Sequence, residues 1–548
     1  MAKQLTPRRV DTELSEPRER KIHWPQRVAV STKAMISTAH YRATEAGVEV
    51  LEAGGNAFDA AVAAAFALGV CEPAASGLGG QTMVLLHEAA SGRTIALDGS
   101  SRAPNRATVD RLSAPDRKAG HKATTVPSTP AVLRYVLERF GKLKLGRILQ
   151  PAIRLAEEGY EVTGLQRALA RRERQSLRAG TAAALFLRDG RKTYPTGSIF
   201  KQPVLAETLR RIAKKGVKDF YSGEIAAQIE QDMIRNDGLI RRDDLAQVPR
   251  PIERRPLTTR FQGYRVFTFP PPAAGRTLIQ TLNVYQELPE IWQDPDTPQG
   301  ALALAEVIRR AFIDRQDRPF DPNFYPQISE KRMLRREYAR LVSTQVLERF
   351  KSHGETTHLS VMDDEGNAVA LTQSIEKVFG SCAAAPELGF LYNNYMSAFE
   401  YENFSHPYYL RPNAVPWASV APSIVFRGRR PYLVIGSPGS ERITSAILQV
   451  LIRLEYLTPF AAVDAPRLHC SLEGKVSLEG TRMRSDIPEF LERHGFAVDV
   501  RDPYSFYLGC IQLVMRDGDE LIGVADPRRD GSVAGPGISA WTPRPEGR

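Results

Sequence analysis

A chain of 548 residues and 60.9 kDa, 42% hydrophobic and 25% charged, is too long for one simple layered domain and has the make-up of a soluble globular enzyme. Its formal charge of +11 is spread along segments such as LARRERQSLR and LRRIAKKG, not gathered into the aromatic-laced stripe of a nucleic-acid binder. The excess reads as a solvated surface with a mild preference for anionic substrates, and no nucleic-acid partner is expected.

Cys71, Cys382, Cys470 and Cys510 form no CxxC, and the nine histidines form no HxxxH or HExxH. No metal site and no cofactor is expected, and scattered cysteines suit reduced thiols in a cytoplasm. The first residues, MAKQLTPRRVDTELSEPRERKIHW, are charged throughout and lack the apolar centre of a secretory signal. The longest apolar run, AAVAAAFALGV (60–70), is too short to span a bilayer. A cytoplasmic protein with no membrane partner is expected.

Residues 1–28 read as a polar arm. VAVSTKAMISTAH reads as a strand, and HYRATEAGVEVLEAGG as a helix ended by Gly54-Gly55. NAFDAAVAAAFALGV reads as a second helix starting near Asn56 or Asp59; being apolar nearly all round, it belongs in the core. The glycines of SGLGGQTMVLLHEA resemble a phosphate loop, but a strand follows them where such a loop needs a helix. A glycine turn entering a buried strand is the better reading. Residues 126–350 have apolar residues mostly at helical spacing, interrupted by the β-rich LTTRFQGYRVFTFPPP.

The pattern changes at residue 356. TTHLSVMD and NAVALTQS are strand-like and joined by Asp364-Glu365-Gly366-Asn367, a hairpin signal. FLYNN, SIVFRG, PYLVIG, KVSLEG, IQLVMRD and LIGVAD read as further strands, with one clear helix, TSAILQVLIRLE, among them. A helical first part and a sheet-rich second part fit sheets sandwiched between helices.

On spacing alone, Thr356 and Thr357 are β-branched residues that start a strand. Thr356 can also be a nucleophile hidden until the chain is cut. A cut before it would give Thr356 an α-amine with a pKa near 8, able to take the proton of its own hydroxyl. No separate histidine is then needed. Downstream, PYLVIGSPGSERITSAILQVLIRLE runs strand, glycine-rich turn, helix. Amides at Gly439 and Ser440 could converge on one oxyanion or phosphate, or Ser440 or Thr444 could cap the helix.

Taken together, EAGVEVLEAGGNAFDAAVAAAFALGVCEP, SGLGG, LQPAIRLAEEGYEV, ETTHLSVMDDEGNAVALTQS, GFLYNN, APSIV, GSPGSERI and VADPRRDG resemble the gamma-glutamyltransferase (glutathione hydrolase) family of N-terminal-nucleophile hydrolases. The resemblance runs in order from about Ala34 to Gly537. It implies an α/β (α+β) fold, a four-layer αββα sandwich, and a zymogen that cuts itself between Glu355 and Thr356. The products would be a helix-rich large chain (29–355, after the arm) and a sheet-rich small chain (356–548) sharing one fold. Thr356 would be the nucleophile, Ser374 its hydroxyl partner where the family usually has threonine, and Gly439-Ser440 the oxyanion-hole pair.

The substrate pocket departs from the family. Where an LDFRE-like arginine grips a carboxylate, LDGSSRAP has Ser100, with Arg102 two residues on. NNQMDDF becomes NNYMSAF, so Tyr395 and Ala398 replace the glutamine and an aspartate. Glu376 takes the place of an asparagine, and a Ser-Ser pair becomes Ala418-Ser419. The stretch from Phe399 to Ala418 is short, which implies an open site without a lid. The expected substrate-binding residues are therefore Arg102, Glu376, Tyr395 and Ser419. The expected partners are a γ-glutamyl-type small-molecule amide and a water or amine acceptor. The alternatives are an oxamate-like amide, a cephalosporin-type acyl side chain, or a non-catalytic binding role, against which the retained Thr356 argues.

Overall fold

The computed structural model describes residues 26–248, 250–317 and 355–539, without the side chains of 315–317 and 355. Most of the 1–28 arm and the segment immediately before the expected cut lie outside these residues.

Two antiparallel seven-stranded sheets form the centre. From edge to edge, one runs Ser532–Ala534, Ala34–Thr38, Glu355–Asp363, Ala368–Glu376, Gln81–Glu88, Arg93–Gly99 and Ile252–Arg254. The other runs Val28–Ser31, Glu520–Ala525, Gln512–Asp517, Arg430–Gly436, Ser423–Arg427, Tyr264–Thr268 and Leu257–Phe261. Strands from both sides of residue 356 share both sheets.

Side-chain alternation assigns the faces. In Glu355–Asp363, Leu359 and Val361 join the core formed with helices Tyr41–Glu52, Ala57–Cys71, Thr129–Phe140 and Leu145–Glu158. Met362 on the opposite face joins a second core between the sheets, which continues to helices Gly275–Tyr285 and Arg442–Arg453. The layers are thus helix, sheet, sheet, helix, as expected. Among the described residues no helix is long and apolar enough to cross a membrane.

The helix Ala57–Cys71 is buried all round, and Asn56 caps it through Phe58 N and Asp59 N in a reciprocal box with Asp59. The expected hairpin is present: Asp363 N donates to Asn367 O at 3.1 Å, and Gly366 takes φ 92°.

Two strand expectations change. VAVSTKAMISTAH is not one strand; it breaks at Thr32-Lys33, and its halves enter different sheets. Lys33 N turns back onto Ser31 Oγ at 3.2 Å, which marks the kink. FLYNN makes only isolated bridges, because Asn393 spends its amide on Gly79 O (2.8 Å) and Thr125 O (2.9 Å) in place of a ladder.

Candidate active site

Thr356, His358 and Ser360 share the face of their strand that looks at the other sheet. His358 bonds Thr372 Oγ1 (2.8 Å) and Ser360 Oγ (3.1 Å), and Ser360 donates to Gln512 O (3.0 Å) across the gap. Burial holds the His358 pKa down to about 3, so its ring is neutral. The sheet is bulged between Glu355 and Thr357, at the Thr356 end of the pairing with Ala368–Glu376.

The bulge brings Thr356 to Ser374. Thr356 is 4% exposed, and its Oγ1 lies 3.5 Å from Ser374 Oγ. Ser374 Oγ in turn accepts from Glu376 N at 2.9 Å. Glu376 has φ 74°, a left-handed conformation costly for a residue with a side chain. It is fixed by its neighbours: Asn394 N donates to Ile375 O (3.2 Å), and Lys377 N donates to Asn394 Oδ1 (3.0 Å).

Tyr395 completes the cluster. Its phenol is buried beside Glu376; burial, then the Glu376 charge, pushes its pKa well above the usual tyrosine value. Gln81 sits opposite Ser374 in the sheet, and its Oε1 accepts from Ser101 N (2.8 Å) and Ser101 Oγ (2.9 Å).

The turn after Arg430–Gly436 approaches from the other sheet. A side chain at Gly436 would meet the His358 ring at 2.2 Å, so only glycine lets the strand lie this close. Gly439 and Ser440 follow with φ 120° and 54°. Their carbonyls accept from Arg442 N (3.1 Å) and Ile443 N (3.0 Å). Among the described residues no acceptor meets the N–H of either residue, although Ser440 is only 6% exposed. Buried backbone donors without acceptors are rare. Neither Ser440 nor Thr444 caps the helix; Glu441 occupies the cap position, and its side chain does not cap the helix amides.

Thr356, Ser374, Glu376 and Tyr395 are therefore brought together. Arg102 is not seen with them: its guanidinium reaches Asn413 O (3.4 Å) and Asn413 Oδ1 (3.3 Å), while its neighbour Ser101 joins the Gln81 network. Ser419 is half-buried in the run before Ser423–Arg427 and makes no hydrogen bond among the described residues. Glu355 begins the strand, opposite Glu376.

Sequence reasoning missed Gln81 and the support beneath Thr357. Thr357 Oγ1 donates to Glu72, whose other oxygen takes Arg529 Nη1 at 2.6 Å. A carboxylate directly after a helix apolar from Ala60 to Cys71 was the available signal for Glu72.

This arrangement of two stacked sheets between helices, with a threonine at the start of a central strand, defines the architecture of an N-terminal-nucleophile hydrolase. The sequence profile of the gamma-glutamyltranspeptidase family matches residues 43–536, and the chain belongs to that family, whose members are hydrolases and transferases. It is 32% identical to the glutathione hydrolase proenzyme of Escherichia coli strain K12, over 90% of each chain. It is also 32% identical to the acylase ACY 1 proenzyme of Pseudomonas sp. strain V22, over 80% of this chain and 83% of that one. The cephalosporin acylase structure from Bacillus halodurans superposes with a TM-score of 0.85 at 28% identity, covering 98% of this chain and all of that one. The gamma-glutamyltranspeptidase structure of Helicobacter pylori gives 0.53 at 32% identity, covering 57% of this chain and 92% of that one.

Proposed function

We propose that the chain is a proenzyme that cuts itself between Glu355 and Thr356 and then transfers or hydrolyses the acyl group of a γ-glutamyl-type amide. The observation that carries this reading is the buried Thr356 Oγ1 beside Ser374 Oγ, at the start of a central strand whose His358 packs against Gly436.

In the cut, Thr356 Oγ1 attacks the Glu355 carbonyl carbon, the peptide nitrogen leaves as the new α-amine, and water hydrolyses the ester. In turnover, the free amine takes the hydroxyl proton while Oγ1 attacks the substrate amide. The unpaired N–H groups of Gly439 and Ser440 suit the oxyanion, and the amide nitrogen departs with the proton. Water or an amine then releases the acyl group. Ser374 orients Oγ1, Glu376 and Tyr395 form the wall on which the acyl head group rests, and Arg102 and Ser419 bind farther out. The sharing of both sheets by strands from each side of the cut supports two products, 1–355 and 356–548, that stay together.

A second reading has the same chemistry acting on another carboxylated amide or an acyl side chain. It is favoured by the near-complete superposition on a cephalosporin acylase and by the Tyr395 phenol at the site.

Denaturing electrophoresis with N-terminal sequencing tests the cut: two fragments are expected, the smaller beginning at Thr356, and one intact chain in Thr356→Ala. An active wild-type protein that remains one chain refutes it. Hydrolysis of γ-glutamyl-p-nitroanilide against glutaryl amides and oxamate separates the two readings.

A further inference from the structure

The FLYNN segment carries Tyr395 at its end and makes only isolated bridges, so its place beside the site depends on side-chain bonds. Asn393 Oδ1 accepts from Tyr395 N (3.1 Å) and from Thr125 N (3.1 Å). Asn394 Nδ2 donates to Lys118 O (3.2 Å), while its Oδ1 and N hold the backbone on either side of Glu376. Gly120 N donates to Ser381 O (2.8 Å), and Ser381 N to Tyr392 O (3.0 Å). Residues 118–125 and 392–395 are thus laced together behind Glu376 and Tyr395.

One carboxylate grips both segments. Asp232, on helix Glu224–Arg235, has no exposed surface. Its Oδ2 accepts from Tyr392 Oη (3.1 Å) and lies 2.9 Å from His121 Nε2, and its Oδ1 accepts from Asn236 Nδ2 (2.9 Å). His121 and Tyr392 are also buried, and their rings meet edge to face at 5.7 Å. Apolar side chains of similar volume would fill this space without the cost of burying a carboxylate. What the carboxylate adds is direction. Its hydrogen bonds hold His121 and Tyr392 in one geometry, where apolar packing tolerates several.

We infer that Asp232 is a positioning residue for the acyl pocket: by clamping His121 to Tyr392 it sets where Tyr395 and Glu376 stand. The inference rests on the acyl-transfer reading and deepens it, by tracing the wall of the pocket back to an anchor in the outer helices. Neither Thr356 nor the Gly439-Ser440 turn hangs on this network, so the anchor governs binding of the acyl group more than its transfer.

The test places fluorotyrosine at position 395 and compares the fluorine NMR signal in wild type, Asp232→Asn and Tyr392→Phe. Tyr392→Phe removes a single hydroxyl and serves where Asp232→Asn fails to fold. Asp314→Asn, which alters a buried carboxylate on helix Pro298–Asp317 against the other core, is the control. The signal is expected to move or split in the two cluster variants and to stay in place in the control. With the best substrate among γ-glutamyl-p-nitroanilide, glutaryl amides and oxamate, Asp232→Asn is expected to raise KM about tenfold and to lower kcat less than about threefold. A fixed signal in the folded cluster variants, the same displacement in the control, or a fall in kcat with KM unchanged overturns the inference. The fluorine comparison needs no turnover. A protein that processes no amide therefore sinks the acyl-transfer reading, while the signal still decides whether Asp232 places Tyr395.

Discussion

Glu72 follows the carboxyl end of helix Ala57–Cys71, where a negative charge meets the negative end of the helix dipole. Burial raises its pKa, and Arg529 opposes that shift. Together with Arg529 it holds Thr357, the residue after the proposed nucleophile. Glu72→Gln keeps a group that can bond Thr357 but leaves Arg529 facing a neutral side chain. A loss of about 3 kcal/mol in urea unfolding is expected, with slower processing; unchanged stability would show that the pair is not a support. At Ser374, alanine removes the hydroxyl beside Thr356 Oγ1. A fall in kcat of roughly a hundredfold is expected for Ser374→Ala and less than about tenfold for Ser374→Thr, measured by single-turnover kinetics. His358 sets an acid limit. Its folded pKa of about 3 is depressed from 6.5, so its contribution to stability is present above pH 6.5 and is lost as pH falls toward 3. Denaturation between pH 7 and pH 4 should give a shallower slope for His358→Gln than for wild type, and identical slopes would refute the assignment.

The helix and hairpin elements were legible because their signals are local. Asn56 followed by Asp59 announces a capped start, and Gly366 a tight reversal. Legibility ended where the outcome depends on distant partners. Thr32-Lys33 could not be read as a break without knowing that two sheets compete for the flanking strands. The Glu72–Arg529 pair joins residues from opposite ends of the chain, and no spacing reveals it. Arg102 illustrates the same limit: the sequence offered a guanidinium near the right place, while Asn413, on a loop far downstream, sets where it lies. At the strand scale the tightest constraint is Gly436. A methyl there collides with His358, so Gly436→Ala is expected to cost about 1–3 kcal/mol and to displace the Gly439-Ser440 turn. A thermal melt matching wild type, with full activity, would contradict this.

Across the whole molecule, a second buried charge cluster ties the last strands together. Arg467 reaches Asp526 at 2.7 Å, and Arg528 reaches Glu479 at 2.6 Å and Asp526 at 3.1 Å, with all four side chains at most 1% exposed. Asp526→Asn would strip a carboxylate from two buried guanidiniums at once. A loss of about 3–5 kcal/mol, read by denaturant unfolding, is expected. The shift of helical to alternating patterns near residue 356 made sheets between helices legible, while the four-layer form followed only from the family resemblance. The way the two halves exchange strands was not legible, because periodicity records which face a residue shows and not which neighbour it meets.

That exchange sets a timetable for synthesis. Thr38 pairs with Leu359, so the strand Ala34–Thr38 leaves the ribosome long before its neighbour exists. At cellular elongation rates the wait is roughly 15–60 s. During that interval an apolar strand edge stands open to chance pairing, and chaperone shelter would matter most then. Under the proposed cut at Glu355-Thr356, scission before the second strand docks would leave the first half without its template, so that proposal requires the order translation, docking, then scission.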